Sequence, residues 1–321
     1  MSDGQTQEWT SASDFFSPWE SLVTDWNSAV KRIDEVISTA TSKRRLAWRG
    51  AVNESWPLYS SIYRRVASQG KFQLDSSVVA LEERILRNAR TKWRFDDKPA
   101  LEIMAQVQHL GGVTRLLDVT LNPFIALWFA VEEKFDNAGE TEPDVDGRLF
   151  IFDVTDREIE LDDFWRSRDL PWGTKSISRA NSSGTNPITD WTSALPRLWR
   201  PPSYNERIAA QNAGFLIGGV PIMKAGQNAW YRKAPGNYSK ISDTWSAEEV
   251  RKTTSVTLRM NRSDSALRAG QQRQSTPTFT LRIQGSAKRE IRENLGRRMG
   301  LDPWTIYPDL LGLSEIGMNI R

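Results

Sequence analysis

The side chains able to do chemistry in this 321-residue chain are few. One histidine, His109, lies in Gln106-Val107-Gln108-His109-Leu110-Gly111, and there is no cysteine. Cysteine nucleophiles, thiolate zinc sites and disulfide frameworks are thereby excluded, and a multi-histidine metal site is impossible. His109 could act as a base beside a serine and an aspartate, but no G-x-S-x-G elbow accompanies it, and a hydrogen-bonded structural histidine is the competing reading. Asp118, Asp153 and Glu206 are the carboxylates to test for a metal-dependent nuclease, although no acidic cluster suggests a metal and none is expected. Neither a P-loop nor a G-x-G-x-x-G turn occurs, which argues against the folds built on them. Arg49, followed by Gly50, offers another grip on phosphate: its guanidinium is a planar fork of donors that suits pyrophosphate oxygens, a task lysine does poorly.

The charge pattern supplies a second candidate surface. Net charge is only +3 with a pI of about 9.1. From Arg251 to Arg298, however, the chain carries Arg251, Lys252, Arg259, Arg262, Arg268, Arg273, Arg282, Lys288, Arg289, Arg292, Arg297 and Arg298 against Asp264, Glu290 and Glu293. A solvated surface explains such a run, and so does a face for nucleic acid or another acidic partner.

These residues need elements to position them. Trp19, Leu22, Val23, Trp26, Val30, Ile33, Val36 and Ile37 recur at helical spacing, so the spacing predicts an amphipathic helix from about Ser17 to Ser42 that braces the core. Leu46-Ala47-Trp48-Arg49-Gly50 reads as a strand stopped by a turn glycine, with Arg49 at its end. Helices are expected after Asp75, through Leu101 to Val107, and after Asn122-Pro123, where asparagine caps and proline occupies the first turn. Arg148 to Val154, Gly214 to Gly218 and Thr278 to Ile283 read as strands, and helices follow Ser286 and Pro308. Between about 223 and 277 the chain is rich in Ser, Thr, Arg, Gln and Gly, which reads as a polar insertion with at most a strand at Thr253–Met260.

The order of elements gives an α+β fold, a mixed or antiparallel sheet flanked by helices. The expected organisation is a brace over residues 1–42 and one domain over 43–321. With 39% hydrophobic residues, no apolar run of about 18 residues and no export signal, a soluble cytoplasmic protein without membrane contact is expected.

Trp48-Arg49-Gly50 and Leu58-Tyr59-Ser60-Ser61-Ile62-Tyr63-Arg64 resemble the [FYW]-R-G and L-x-P-S-L-x-R segments of the FRG domain family. Far more specific is the run from Gln108 to Ala130, which closely resembles that family's Q-H-x-G-x-P-T-R-L-L-D-W-T-x-N-P-x-x-A-L-x-F-A core. Val113, Val119 and Tyr59 stand where proline, tryptophan and proline are usual. Arg207 to Phe215 is similar to the family's R-x-x-x-Q-x-G-x-F strand entry, and Lys288 to Leu310 to its C-terminal features. The likeness thus runs from about Leu46 to Met318, leaving out the polar insertion.

The order of residue types also resembles ADP-ribosyltransferases of the arginine–serine–glutamate kind, which place an Arg at the end of a first strand, a Ser or Thr before a helix, and a Glu or Gln on a late strand. Arg49, Thr120 and Gln211 follow that order, and NAD is the substrate this implies. Arg49 would clamp the phosphates, Thr120 would hold the nicotinamide ribose, and Gln211 would orient the sugar as nicotinamide leaves. Gly50, Tyr63, His109, Thr114, Arg115, Asn122 and Phe129 complete the expected cofactor site, with Tyr63, Trp48 and Phe129 as stacking rings. Structural alternatives stand beside each role: Arg49 or Arg115 paired with Asp118, Thr120 capping the next helix, Gln211 satisfying backbone near Gly214, and the aromatics in the core. The leading expectation is an ADP-ribosyltransferase-like enzyme that modifies a macromolecule or cleaves NAD, as a toxin or phage-defence factor. The runner-up is a non-catalytic module that binds nucleic acid or protein through the basic region 251–298.

Overall fold

The computed structural model describes residues 12–17, 20–40, 42–67, 75–136, 140–155, 157–159, 168–170, 197–203, 205–217 and 278–317. The polar insertion at about 223–277, with the strand expected at Thr253–Met260, lies outside the described residues.

Among the described residues seven strands form one sheet: β1 (Glu20–Val23), β2 (Leu46–Ala51), β3 (Leu117–Thr120), β4 (Gly147–Asp153), β5 (Arg197–Trp199), β6 (Ala213–Ile217) and β7 (Thr278–Ile283), in the order β1-β7-β4-β2-β3-β6-β5. All pairings are antiparallel except the parallel pair β1–β7. With its helices this is the expected α+β architecture. Alternation sorts the side chains. Phe150 and Phe152 of β4 join Phe16, Ala47 and Leu198 in one cluster, while Leu149 and Ile151 join Trp48, Trp128 and Leu281 in another. Every residue of β4 is buried, as a strand covered on both faces requires.

After the short α1 (Ala12–Phe16), the N-terminal region departs from the expected single helix. Glu20–Val23 is recruited as an edge strand against β7, and α2 covers only Trp26–Thr39. The boundary is set by a capping box: Ser28 N donates to Asp25 Oδ1 at 2.8 Å and Asp25 N to Ser28 Oγ at 3.1 Å. Arg148, 1% exposed, fastens the strand by donating to Glu20 at 2.9 Å and to Glu54 at 3.0 Å.

Helices α3 (Ser61–Ala67), α4 (Asp75–Trp93) and α5 (Ala100–His109) follow β2. A third cluster, with Leu86, Leu101, Met104 and Phe215, packs α4 and α5 beside β5 and β6. Past α5 the chain reverses at Gly111, whose φ of +80° is costly for any residue with a Cβ, so the expected stop at the glycine pair holds.

Helix α6 (Pro123–Val131) is capped as expected: Asn122 Oδ1 accepts from Phe124 N at 2.9 Å and proline opens the helix. It lies directly on the sheet. A Cβ at Gly50 would sit 2.1 Å from Ala126 O, and one at Gly147 would sit 2.3 Å from Ala130 O. Gly50 is therefore no turn; it lies inside β2, where its missing side chain admits the helix. The remaining helices among the described residues are α7 (Glu206–Ala210), α8 (Gly285–Met299), α9 (Pro303–Ile306) and α10 (Leu310–Gly317). No helix among the described residues is long and apolar enough to cross a membrane.

Candidate functional site

Strands β2, β3 and β6 bring together three parts of the chain that are remote in sequence. Trp48 is paired with Thr120, and Thr120 with Ala213, so the strand carrying Arg49, the strand carrying Asp118 and the segment following Gln211 lie side by side. The end of α5, the start of α7 and Tyr307 close round them. The result is a cleft of about 490 Å³ lined by Arg49, Gly50, Asp118, Thr120, Gln211, His109 and Phe129, together with Arg64, Lys134 and Arg207.

Arg49 donates from NH1 to the Asp118 carbonyl at 2.7 Å and lies 3.6 Å from the Asp118 carboxylate. The pair is loose and half open, with side-chain exposures of 18% and 59%. Burial draws the Arg49 pKa below its ordinary value, the neighbouring Arg64 charge pushes the same way, and Asp118 opposes them. Asp118 is oriented by Gln108, whose Nε2 donates to Oδ1 at 2.5 Å. Gln108 in turn accepts the Thr114 hydroxyl. Gln108 and Asp118 stand in the same signature run, but their link shows only when α5 folds against β3.

Thr120 is 4% exposed, and its hydroxyl is already engaged. Oγ1 donates to the Gln211 carbonyl at 2.7 Å and accepts from Asn122 N at 3.1 Å. It stitches β3 to the end of α7 instead of presenting a free hydroxyl to a ribose. Gln211 is also displaced from its expected setting: it is the C-cap of α7, with φ −84° and ψ −1°, one residue before the left-handed Asn212 and two before β6. Its Nε2 donates to Ile306 O at 3.0 Å, which ties the cleft to α9.

His109 faces a cluster from the C-terminal segment. Its Nε2 lies 3.2 Å from Asp309 Oδ2, while Asp309 Oδ1 accepts from Arg207 at 2.6 Å and from Gly312 N at 2.8 Å. The Arg207 guanidinium lies 4.9 Å from the centre of the Tyr307 ring, and the Tyr307 hydroxyl donates to Glu132 at 2.7 Å. Burial and the Arg207 charge lower the His109 pKa, with Asp309 opposing, which favours the neutral imidazole. Burial alone would raise the Asp309 pKa; the hydrogen bonds from Arg207 and Gly312 outweigh it and hold the carboxyl below its usual range. Arg207 and Asp309 fall within segments that resemble the family's, and only the packing of the C-terminal segment against α5 and α7 gives them a place here.

Four of the expected contacts lie elsewhere. Arg115 turns away into a buried pair with Glu82 of α4, donating from Nε at 2.8 Å and from NH2 at 2.7 Å, so its partner is not Asp118. Thr114 is buried beneath Gln108, Asn122 caps α6, and Tyr63 is not among the residues lining the cleft. Trp48, 2% exposed, lines the cleft from within the core and offers no ring face for stacking.

The alternative sites gain little. Asp153 is fully buried and accepts from Thr155 at 2.6 Å, far along the sheet from Asp118, and no group of three potential metal ligands occurs among the described residues. Of the basic run, Arg251, Arg259, Arg262, Arg268 and Arg273 lie outside the described residues. Arg282 is paired with Asp146 at 2.7 Å, Arg292 with Asp144 at 2.7 Å and Arg289 with Glu293 at 3.3 Å, while Lys288 is buried. These described cations are largely occupied within the fold.

The family model of the FRG domain matches residues 44–139. No curated protein and no solved structure matches the chain. The matched segment supplies Arg49, Gly50, Gln108, His109, Asp118 and Thr120, whereas Arg207, Gln211, Tyr307 and Asp309 come from beyond it. Residues 44–139 thus match the FRG domain, and the later strands and helices complete the cleft that this segment begins.

Proposed function

We propose that the cleft binds NAD and carries out ADP-ribosyltransferase-like chemistry, breaking the bond between nicotinamide and ribose and passing ADP-ribose to a macromolecular acceptor or to water. The observation that carries this reading is convergence: Arg49, Thr120 and Gln211 meet on one cleft, with further cations at Arg64, Lys134 and Arg207. Lys134 and Arg207 are paired with Glu132 and Asp309, but Arg49 is held only loosely and Arg64 has no carboxylate partner among the described residues, which suits the cleft to a phosphate-bearing ligand.

The roles differ from those the motif order implies. Arg49, whose ion pair is loose, exchanges Asp118 for the pyrophosphate. As the ribose–nicotinamide bond breaks, its electron pair leaves with nicotinamide and positive charge develops on the sugar. A glutamine answers that charge weakly; the exposed Asp118 carboxylate, aimed by Gln108, answers it better. Thr120 acts by holding Gln211 in place. The acceptor atom then bonds to the anomeric carbon, and the neutral imidazole of His109, braced by Asp309, takes its proton.

Calorimetric titration of NAD into the full chain and into Arg49→Ala, with nicotinamide release followed in parallel, tests the reading. Saturable binding that the variant loses supports it. A folded wild-type protein that neither binds NAD nor releases nicotinamide would refute it.

A further inference from the structure

The cleft has a second chamber. Across a shared wall formed by Arg49, Gly50, Arg64, Phe129 and Lys134 lies a cavity of about 540 Å³, comparable with the first at about 490 Å³. The two differ in chemistry. The first is lined by Asp118, Gln108, His109 and Gln211, whereas the second is walled by Val52, Trp56, Pro57, Leu58, Tyr59 and Phe150. Its one acidic lining residue is Glu132, whose Oε1 accepts the Tyr307 hydroxyl at 2.7 Å. Trp56 is 50% exposed; Trp93 and Trp304 are exposed as well, but neither lines either chamber, so Trp56 is the exposed indole placed at this cavity.

The cations are concentrated at the neck. Lys134 is neutralised by Glu132 and Arg49 is held loosely by Asp118. The NH1 of Arg64 reaches only the Tyr59 carbonyl, at 3.4 Å, and no carboxylate pairs with it among the described residues. Two arginines converging on a boundary, with less than one full carboxylate between them, favour an anion at that point. An anion flanked by a polar chamber on one side and an aromatic chamber on the other is the pattern of a diphosphate joining two unlike nucleosides.

We infer that the second chamber is a purine-nucleoside subsite, in which Trp56 stacks on the base of the adenosine half of a dinucleotide while Glu132 accepts from its ribose hydroxyls. This inference rests on the proposed use of NAD and goes further in assigning the two halves of the ligand to separate chambers. Aromatic stacking tolerates small changes in base position, and a half-exposed indole costs the free protein little reorganisation when the base arrives.

The test is calorimetric titration of AMP, ADP-ribose and nicotinamide mononucleotide into the full chain, Trp56→Ala and Trp56→Phe, with thermal unfolding as the check on folding. The expected result is a loss of about tenfold or more for AMP and ADP-ribose in Trp56→Ala, most of it recovered in Trp56→Phe, and unchanged affinity for nicotinamide mononucleotide. If wild-type protein binds NAD but Trp56→Ala weakens all three ligands equally, or none of them, the subsite assignment is overturned and the NAD reading stands. If no nucleotide binds the wild-type chain, both are overturned.

Discussion

Arg115 and Arg49 belong to two signature segments of the same domain, yet their surroundings are opposite. Arg115 is enclosed with Glu82 at side-chain exposures of 5% and 0%, in a fork whose contacts run from 2.7 to 2.9 Å. Arg49 reaches its carboxylate only at 3.6 Å, and that carboxylate is mostly in solvent. A buried, fully matched pair cannot release its arginine without stranding a charge, so it serves the fold. A loose pair at a cleft can exchange its partner for an incoming anion at small cost. The contrast identifies which arginine is available for chemistry, something residue type alone does not.

The sharpest way to break this contrast is to remove Arg115. Arg115→Met should cost about 3–5 kcal/mol, read from denaturant unfolding, because Glu82 is left charged in the core. The double variant Arg115→Met/Glu82→Leu should recover most of that loss, and a single variant as stable as wild type would show the pair to be dispensable.

Lys288 extends the comparison to a buried cation that, among the described residues, has no carboxylate within ion-pair distance, although the charges of Asp144 and Asp146 act on it. Fully buried, with its Nζ donating to Val52 O at 2.6 Å, it has its pKa lowered by burial from 10.5 to about 8. Between those two values the unfolded chain holds the proton that the folded chain has released. Stability should therefore rise with pH from about 8 to 10.5, by on the order of 3 kcal/mol from this group. Unfolding of Lys288→Met across the same range should lack that increment; parallel curves for variant and wild type would show the lysine to be unperturbed.

Thr120 lies between the extremes, since its hydroxyl is buried but neutral. Thr120→Val should cost about 1–2 kcal/mol in thermal unfolding and lower nicotinamide release by about tenfold, as Gln211 loses its anchor. Release at the wild-type rate would remove Thr120 from any positioning role. The smallest effect on stability belongs to Arg49→Ala, within about 1 kcal/mol of wild type. Its NAD affinity should nevertheless fall more than tenfold, and an equal loss of stability and affinity would erase the distinction from Arg115.

Short-range chemistry was readable in the sequence wherever it is complete within a few residues. Asn122-Pro123 opens α6 as expected, and the glycine pair after His109 ends its helix. What failed depended on partners far along the chain. Leu22 and Val23 continue the helical spacing into Trp26, but Glu20–Val23 becomes a strand because β7, some 260 residues later by the Glu20–Thr280 pairing, offers it an open edge. Periodicity cannot register such a partner. Arg115 and Arg49 look alike in the sequence, and only the packing of α4 gives Glu82 to one of them. The convergence of Arg49, Thr120 and Gln211 was anticipated from their order. The Arg49–Asp118 pairing stood among the structural alternatives, but that Thr120 holds the Gln211 carbonyl, and that Asp309 backs His109 and Arg207, follow from hydrogen bonds and ion pairs no spacing encodes.

The seat of α6 on two glycines has a consequence for how this cleft could change over time. Because the helix backbone rests on the strand backbones at Gly50 and Gly147, its height above the sheet is already at the minimum. Any side chain at either position lifts the whole helix, and with it Phe129 and the segment bearing Glu132 and Lys134, so ligand preference cannot be altered there in small steps. Gradual change has to come from the residues that the helix carries or from the Trp56 segment opposite. The floor of the pocket is fixed, and its walls are where related chains can diverge.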